Sequence, residues 1–421
     1  MGRAGALELV RSSNGPQRPT VYNGSMSDLR HEMEQVVGRG PFSPVSDPYP
    51  LYARLREEAP VCDVTGMYGT GRTWFVTRYE DVRTVLRDPE AFSSRVNSRG
   101  VGRVLGRTII EMDGPEHLKH RNLVTPALAP RALRGDFPKL VREIAHEIVD
   151  RFAAQGQCDL VPDFTFIFPL RVFVEILGLP VDQVEPIHHL TVDLSLSGQD
   201  PERAIRASEK LAEGLLPLVA ERCTNPSDDL MSVLAASEID GERMTDQEVV
   251  NFLRLLVSAG ADTTYHLLGS MIALALRDPA LLERISSDRE RIDDYILETL
   301  RYESPIATIP REVMADTQLG GVHLSAGDDV LVHLGSANRD GAHYAEPDRF
   351  DLDRDSSDHL GFGIGRHFCA GSRLALLEAR VGFDVLLERL DDLRLAAGQS
   401  AEIVGFAFRG PTKLPVTFRA S

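Results

Sequence analysis

The sequence predicts a mostly α fold with a minor β portion, and three observations carry that expectation. Apolar residues recur at three- and four-residue spacing, with charges between them, over residues 51–59, 81–86, 132–154 and 201–223. A longer pattern of the same kind runs from Thr245 to Arg277, a helix on the order of 50 Å at about 1.5 Å per residue. Strand candidates are few and short: residues 73–77, then the pair 321–324 and 330–334 around the turn Ser325-Ala326-Gly327-Asp328.

Taken in chain order, residues 1–40 are rich in Ser, Asn, Gly and Pro and lack the unbroken apolar run of a signal peptide, so they read as a mobile N-terminal extension. The length of 421 residues suggests roughly three domains at about 150 residues each. No repeat and no linker divides the chain after Pro41, and residues 41–421 are read as a single domain. Lys and Arg number 46 against 63 Asp and Glu, a net charge of 46 − 63 = −17. That balance excludes nucleic acid as a partner, because phosphate contacts need a basic surface. The four cysteines, Cys62, Cys158, Cys223 and Cys369, lie far apart. They form neither a zinc module nor a disulfide framework and fit a reducing cytoplasm. Residues 249–276 are the most apolar long stretch, but Asn251, Arg254, Asp262 and His266 interrupt them, so no membrane span is expected.

The helix starting at Thr245 opens with Thr-x-x-Glu (Thr245, Glu248), a capping-box pattern that satisfies amide donors at a helix start. Within it, Ala259-Gly260-Ala261-Asp262-Thr263-Thr264 is a poor choice on propensity, since Gly, Asp and Thr are weak helix formers. A local rule broken inside a buried helix marks a place where function is expected.

Near the C-terminus the run from His359 to Gly371 sets Cys369 in a glycine-rich loop just before an amphipathic pattern over residues 372–390. A thiol there is positioned to be held as a thiolate by the positive end of the helix or by a metal. A buried structural cysteine is the alternative reading of such a residue taken alone.

The segment Phe-x-x-Gly-x-His-x-Cys-x-Gly, at Phe362, Gly365, His367, Cys369 and Gly371, resembles the haem-binding signature of the cytochrome P450 family. Further segments match in the family's order over residues 41–418. The resemblance implies the P450 fold, in which a long central helix and the cysteine-ligand loop enclose haem b, with Cys369 as the axial iron ligand. Gly260, Asp262 and Thr263 resemble the oxygen-activating segment, with a gap at Gly260 and Thr263 for dioxygen and a proton relay through Asp262 and Thr263. His117 and Arg121, one helical turn apart, together with Arg311 and His367, fit the positions that hold the haem propionates. Phe362 and Gly371 fit the cofactor-binding loop. Glu298 and Arg301 with Arg349, in Pro347-Asp348-Arg349-Phe350, match a structural triad.

On the same resemblance, substrate contacts are expected from residues 94–105 and 170–197, from Leu255, Ser258 and Ala259, from Ala307 and Thr308, and from Phe406, Ala407 and Phe408. These are mostly apolar, which implies a hydrophobic small molecule. The implied activity is a cytoplasmic monooxygenase inserting one oxygen atom from O2. Its electrons come from NAD(P)H through a reductase and a separate ferredoxin or flavodoxin, which docks near Cys369 on a patch drawn from Arg121, Arg131, Arg134, Arg366, Arg373 and Arg380. Peroxygenation, phenol coupling or dehydration on the same cofactor is the rival within the enzymes, and a haem sensor without turnover is the rival outside them.

Overall fold

A computed structural model describes residues 26–36, 44–67, 71–125, 128, 135–195 and 200–420. The central helix, Asp246–Arg277, is continuous and organises the rest. Its capping box is closed: the Thr245 hydroxyl accepts from the Glu248 amide at 3.2 Å, and the Glu248 carboxylate accepts from the Thr245 amide at 2.8 Å. Asp246 and Glu248 in the first turn and Arg277 in the last suit the helix dipole. The helix stops because Pro279 begins the next one, with the Asp278 carboxylate accepting from the amides of Ala280 and Leu281.

The weak formers between 259 and 264 do not interrupt the helix, because burial pins it from several sides. Helices Ile167–Leu177, Pro201–Thr224 and Ser372–Arg389 all pack on it, and Leu253, Val257, Leu268, Met271 and Phe383 lie in one apolar core with it. Tertiary packing thus outweighs local propensity.

The main sheet has five strands in the order Val61–Asp63, Thr73–Val76, Asp329–His333, Thr308–Val313, Phe92–Ser93. Its neighbours are antiparallel except for Asp329–His333 beside Thr73–Val76, which run parallel. The two strands expected as a pair around Ser325 are not partners. Val322–Leu324 pairs with Thr317–Leu319, while Asp329–His333 leaves for the main sheet. Its fully apolar run, Val330 to Val332, buries on both faces there, which a two-stranded hairpin does not offer. A second sheet orders Leu390–Leu395, Pro415–Ala420 and Gln157–Asp159.

Part of the stretch expected as a mobile extension is a helix, Met26–Val36. Leu29 and Met33 are buried with Tyr52 and Leu55 in a third core, and the Arg54 guanidinium donates to Glu32 at 2.6 Å. Residues 1–25 and 37–43 lie outside the described residues. Among the described residues no helix is long and apolar enough to cross a membrane.

Candidate functional site

The loop before Cys369 depends on glycine. Gly363 and Gly365 have φ of +66° and +80°, and a Cβ on Gly365 would stand 2.7 Å from the Leu86 carbonyl oxygen. The Cys369 amide donates to the Phe362 carbonyl at 2.9 Å, and the chain then enters helix Ser372–Arg389 with Gly371 as its N-cap. Burial pushes the Cys369 thiol up. The amides of Gly371 and Ser372 and the Arg121 charge act against that shift, so the groups a thiolate requires stand around the sulfur.

Beside the loop, helix Gly114–Val124 presents His117 and Arg121. The Arg121 guanidinium donates to the Phe368 carbonyl, one residue before the cysteine. The rings of His117 and His367 are 4.1 Å apart. Burial, with His367 and Arg121 next in weight, lowers His117 to about 4. Arg311 is buried and donates to the Pro310 carbonyl at 2.8 Å; burial lowers it to about 10, with Asp113 opposing.

Asp113, which the sequence reading placed only as a lead into the helix, is the hub of this group. It accepts from the Ser93 hydroxyl at 2.6 Å and the Ser94 amide at 2.9 Å, and lies 3.4 Å from His367 Nε2. Burial alone would raise its carboxyl, but these bonds hold it below the usual range. The expected set His117, Arg121, Arg311 and His367 is therefore gathered in one place.

On the central helix Ala259 is exposed while most of the helix is buried. Thr263 Oγ1 donates to the Ala259 carbonyl at 2.8 Å, and Asp262 beside it is buried. The position expected to open a gap, Gly260, faces the Phe173 ring. A Cβ at that position would overlap the Phe173 ring, so the glycine serves close packing of helix Ile167–Leu177. Glu378, which sequence reasoning missed, is buried on helix Ser372–Arg389. Burial drives its carboxyl well above the usual range, and Thr264 is the group that opposes the shift.

Of the expected substrate contacts, Ala259 is exposed and Ser258 and Phe408 are half-buried, whereas Leu255 and Thr308 are largely buried. Ala307 and Phe406 have no exposed surface, and Phe406 stacks on Phe75 at 6.1 Å in a core that also takes Ala407. The triad also needs correction. Arg349 points outward to Asp351 at 2.7 Å, and only its backbone carbonyl accepts from Arg301, at 3.2 Å. The second guanidinium at Glu298, beside that of Arg301, is that of Arg354, at 3.5 Å.

Haem asks of a protein one sulfur ligand and donors for two carboxylates. His117 Nε2 is buried with no hydrogen-bond partner among the described residues, and it faces a cluster of histidines and arginines beside a sulfur set in amide donors. The residues present fit the group.

The family described as Cytochrome P450 matches residues 57–177 and 187–393. Cytochrome P450 107B1 of Saccharopolyspora erythraea is 35% identical over 387 residues, covering 88% of this chain and 95% of that protein. Mycinamicin IV hydroxylase/epoxidase of Micromonospora griseorubida is 35% identical over 378 residues, covering 87% and 94%. The crystal structure of CYP109E1 from Bacillus megaterium in complex with testosterone superposes with a TM-score of 0.80 at 29% identity, covering 88% of this chain and 99% of that one. Members of this family use haem b, O2 and electrons from NAD(P)H delivered by redox partners. On the family match, these relatives and the shared fold, the chain belongs to the cytochrome P450 family, as a haem-thiolate monooxygenase of the bacterial type.

Proposed function

We propose that the chain hydroxylates or epoxidises an apolar small molecule of moderate size, and that it holds this molecule in a recess between Cys369 and Ala259. The observation that carries this reading is the Cys369 sulfur set among the Gly371 and Ser372 amides, with His117, Arg121, Arg311 and His367 clustered beside it. Cys369 would supply the sulfur ligand to haem iron, Phe362 and Gly371 would shape its loop, and the four basic residues would hold the propionates. When bound, haem with an electron-rich axial sulfur supplies dioxygen activation and O–O cleavage.

The chain's own residues manage protons and exclusion of water. The Asp262 carboxyl and Thr263 Oγ1, adjacent on the central helix, pass protons toward the recess. The Thr263 hydroxyl donates its own proton to the Ala259 carbonyl, which leaves the oxygen lone pairs to accept the next one. Ser258, Ala259 and Phe408 orient substrate. Glu298 with Arg301 holds the segment preceding the cysteine loop. The names of two similar proteins refer to mycinamicin IV and testosterone, which supports a bulky, largely apolar substrate.

Electrons enter from a ferredoxin or flavodoxin docked beside Cys369, in the cytoplasm. Arg366 and Arg373 are exposed there, and Phe368 between them is 43% exposed. Arg380 contributes less, since it is paired with Asp293 at 2.9 Å, and Arg131 and Arg134 lie outside the described residues. Turnover under labelled dioxygen tests the reading. One labelled oxygen atom per product molecule is expected, and unlabelled product overturns it.

A further inference from the structure

Arg254 is a cation on the buried part of the central helix, 6% exposed, and the chemistry described above makes no use of it. Among the described residues its guanidinium bonds only neutral acceptors: Ser208 Oγ at 2.7 Å, the Ser208 carbonyl at 3.3 Å, the Leu105 carbonyl at 2.8 Å, and Asn251 Oδ1. Burial lowers its pKa, and among the described residues no acid offsets that and Nε has no partner. A charge in a protein interior is costly unless pairing or hydrogen bonds replace its lost hydration, so its bonds are not incidental to the fold.

What it holds is the far end of residues 94–105. The near end of that segment is fixed at the cysteine loop, where the Ser94 hydroxyl lies 3.0 Å from His367 Nε2. At the far end Ser208 Oγ donates to the Val104 carbonyl at 2.6 Å while Arg254 takes both Ser208 and the next carbonyl, Leu105. Gly106, at φ +77°, then turns the chain against Asn251, where a Cβ would lie 2.6 Å from the amide nitrogen. The segment is thus anchored at both ends, at His367 and at Arg254. Between these anchors Arg95 and Arg99 pair with Glu312 and Asp329, but both arginines are about half exposed and water and salt screen them. The fastening at Arg254 is desolvated, as is the one at Ser94.

We propose that Arg254 is a positioning residue: it latches residues 101–106 and helix Pro201–Thr224 to the central helix, and so holds the cover that encloses substrate. This rests on the proposed placement of substrate between Cys369 and Ala259. The first arm of the test is independent of that placement.

That first arm is amide hydrogen exchange on the full chain carrying Arg254→Met. Exchange at residues 101–106 is expected to rise about tenfold or more, with strand Thr308–Val313 unchanged, since only local opening is relieved. Unchanged exchange at 101–106 overturns the latch. The second arm compares two iron-binding probes on the haem-loaded protein. Imidazole needs no cover and is expected to bind within about twofold of the unsubstituted protein, whereas 4-phenylimidazole, whose ring reaches into the recess, weakens about tenfold. Parallel changes in both probes, or none, overturn the positioning role. Arg254→Lys, which reaches fewer acceptors, falls between. Should Arg254→Met not accumulate, Ser208→Ala removes the shared hydroxyl and is expected to show the same pattern in weaker form. Its effect should not add to that of Arg254→Lys.

Discussion

Arg301 and Glu298 meet through two 2.7 Å hydrogen bonds with neither side chain exposed. Breaking such a pair strands a charge in the interior. The same carboxylate accepts from the Asp351 amide at 2.8 Å and from the Ser356 hydroxyl at 2.5 Å, and Arg354 completes its surroundings. Glu298 therefore ties the segment leading to the cysteine loop onto helix Ile292–Tyr302. Glu298→Ala is expected to cost about 3–5 kcal/mol, and Arg354→Ala also lowers stability. Arg349→Ala stays within about 0.5 kcal/mol, as for an exposed side chain. Urea unfolding of the three variants checks the ranking, and equal losses for Arg349 and Arg354 contradict it.

Thr263→Ala removes the hydroxyl but keeps the helix, which Thr263 supports only through a bond back to Ala259. Haem content is expected to be unchanged. Product formed per electron pair falls by about tenfold or more, since one positioned proton donor contributes that much or more, and the shortfall appears as peroxide. Simultaneous assay of reductant consumption, product and peroxide reads this directly. An unchanged product yield places the proton route elsewhere.

Arg311→Leu and His117→Phe each remove one donor from the cluster around Asp113. A lost hydrogen bond to a charged group costs about 1.5–3 kcal/mol. Each variant is therefore expected to lose haem to an excess of an apo-globin acceptor roughly 10- to 100-fold faster. Loss at the unsubstituted rate removes that residue from the propionate set.

His266 lies one turn beyond Asp262, its ring 3.9 Å from that of Tyr265 and 6.3 Å from that of Phe408, with Nδ1 unbonded among the described residues. Burial lowers its pKa from 6.5 to about 3. The unfolded chain therefore takes up this proton first as pH falls through 6.5. The stability that a neutral His266 contributes is full above pH 6.5 and is lost between 6.5 and 3, by up to about 1.4 kcal/mol per pH unit. His266→Asn is expected to flatten the stability–pH curve in that window. An unchanged slope contradicts the assignment.

Much of the site was legible because its chemistry is local in the chain. The cysteine loop lies within the run from His359 to Gly371, and the Thr245–Glu248 cap and the Asp262–Thr263 pair sit on one helix. Partnerships across distance were not legible. Arg349 and Arg354 are both arginines in the same short stretch, and only the fold decides which one turns inward to Glu298. Gly260 reads as an opening until Phe173, from a helix far back in the chain, is found closed against it. The strand Asp329–His333 has the pattern of a hairpin partner, but a buried place in the main sheet wins it. Glu378 looks like one more charge on an amphipathic helix, and only its burial beside Thr264 singles it out. Arg254 appeared in the sequence solely as an interruption of an apolar run, while its acceptors Leu105 and Ser208 are remote in sequence.

The central claim is that Cys369 provides the sulfur ligand, and its most direct test is the carbon-monoxide difference spectrum of the reduced protein with and without Cys369→Ser. The unsubstituted protein is expected to show the band characteristic of thiolate ligation, and the variant to lose it. Persistence of that band in Cys369→Ser contradicts the account.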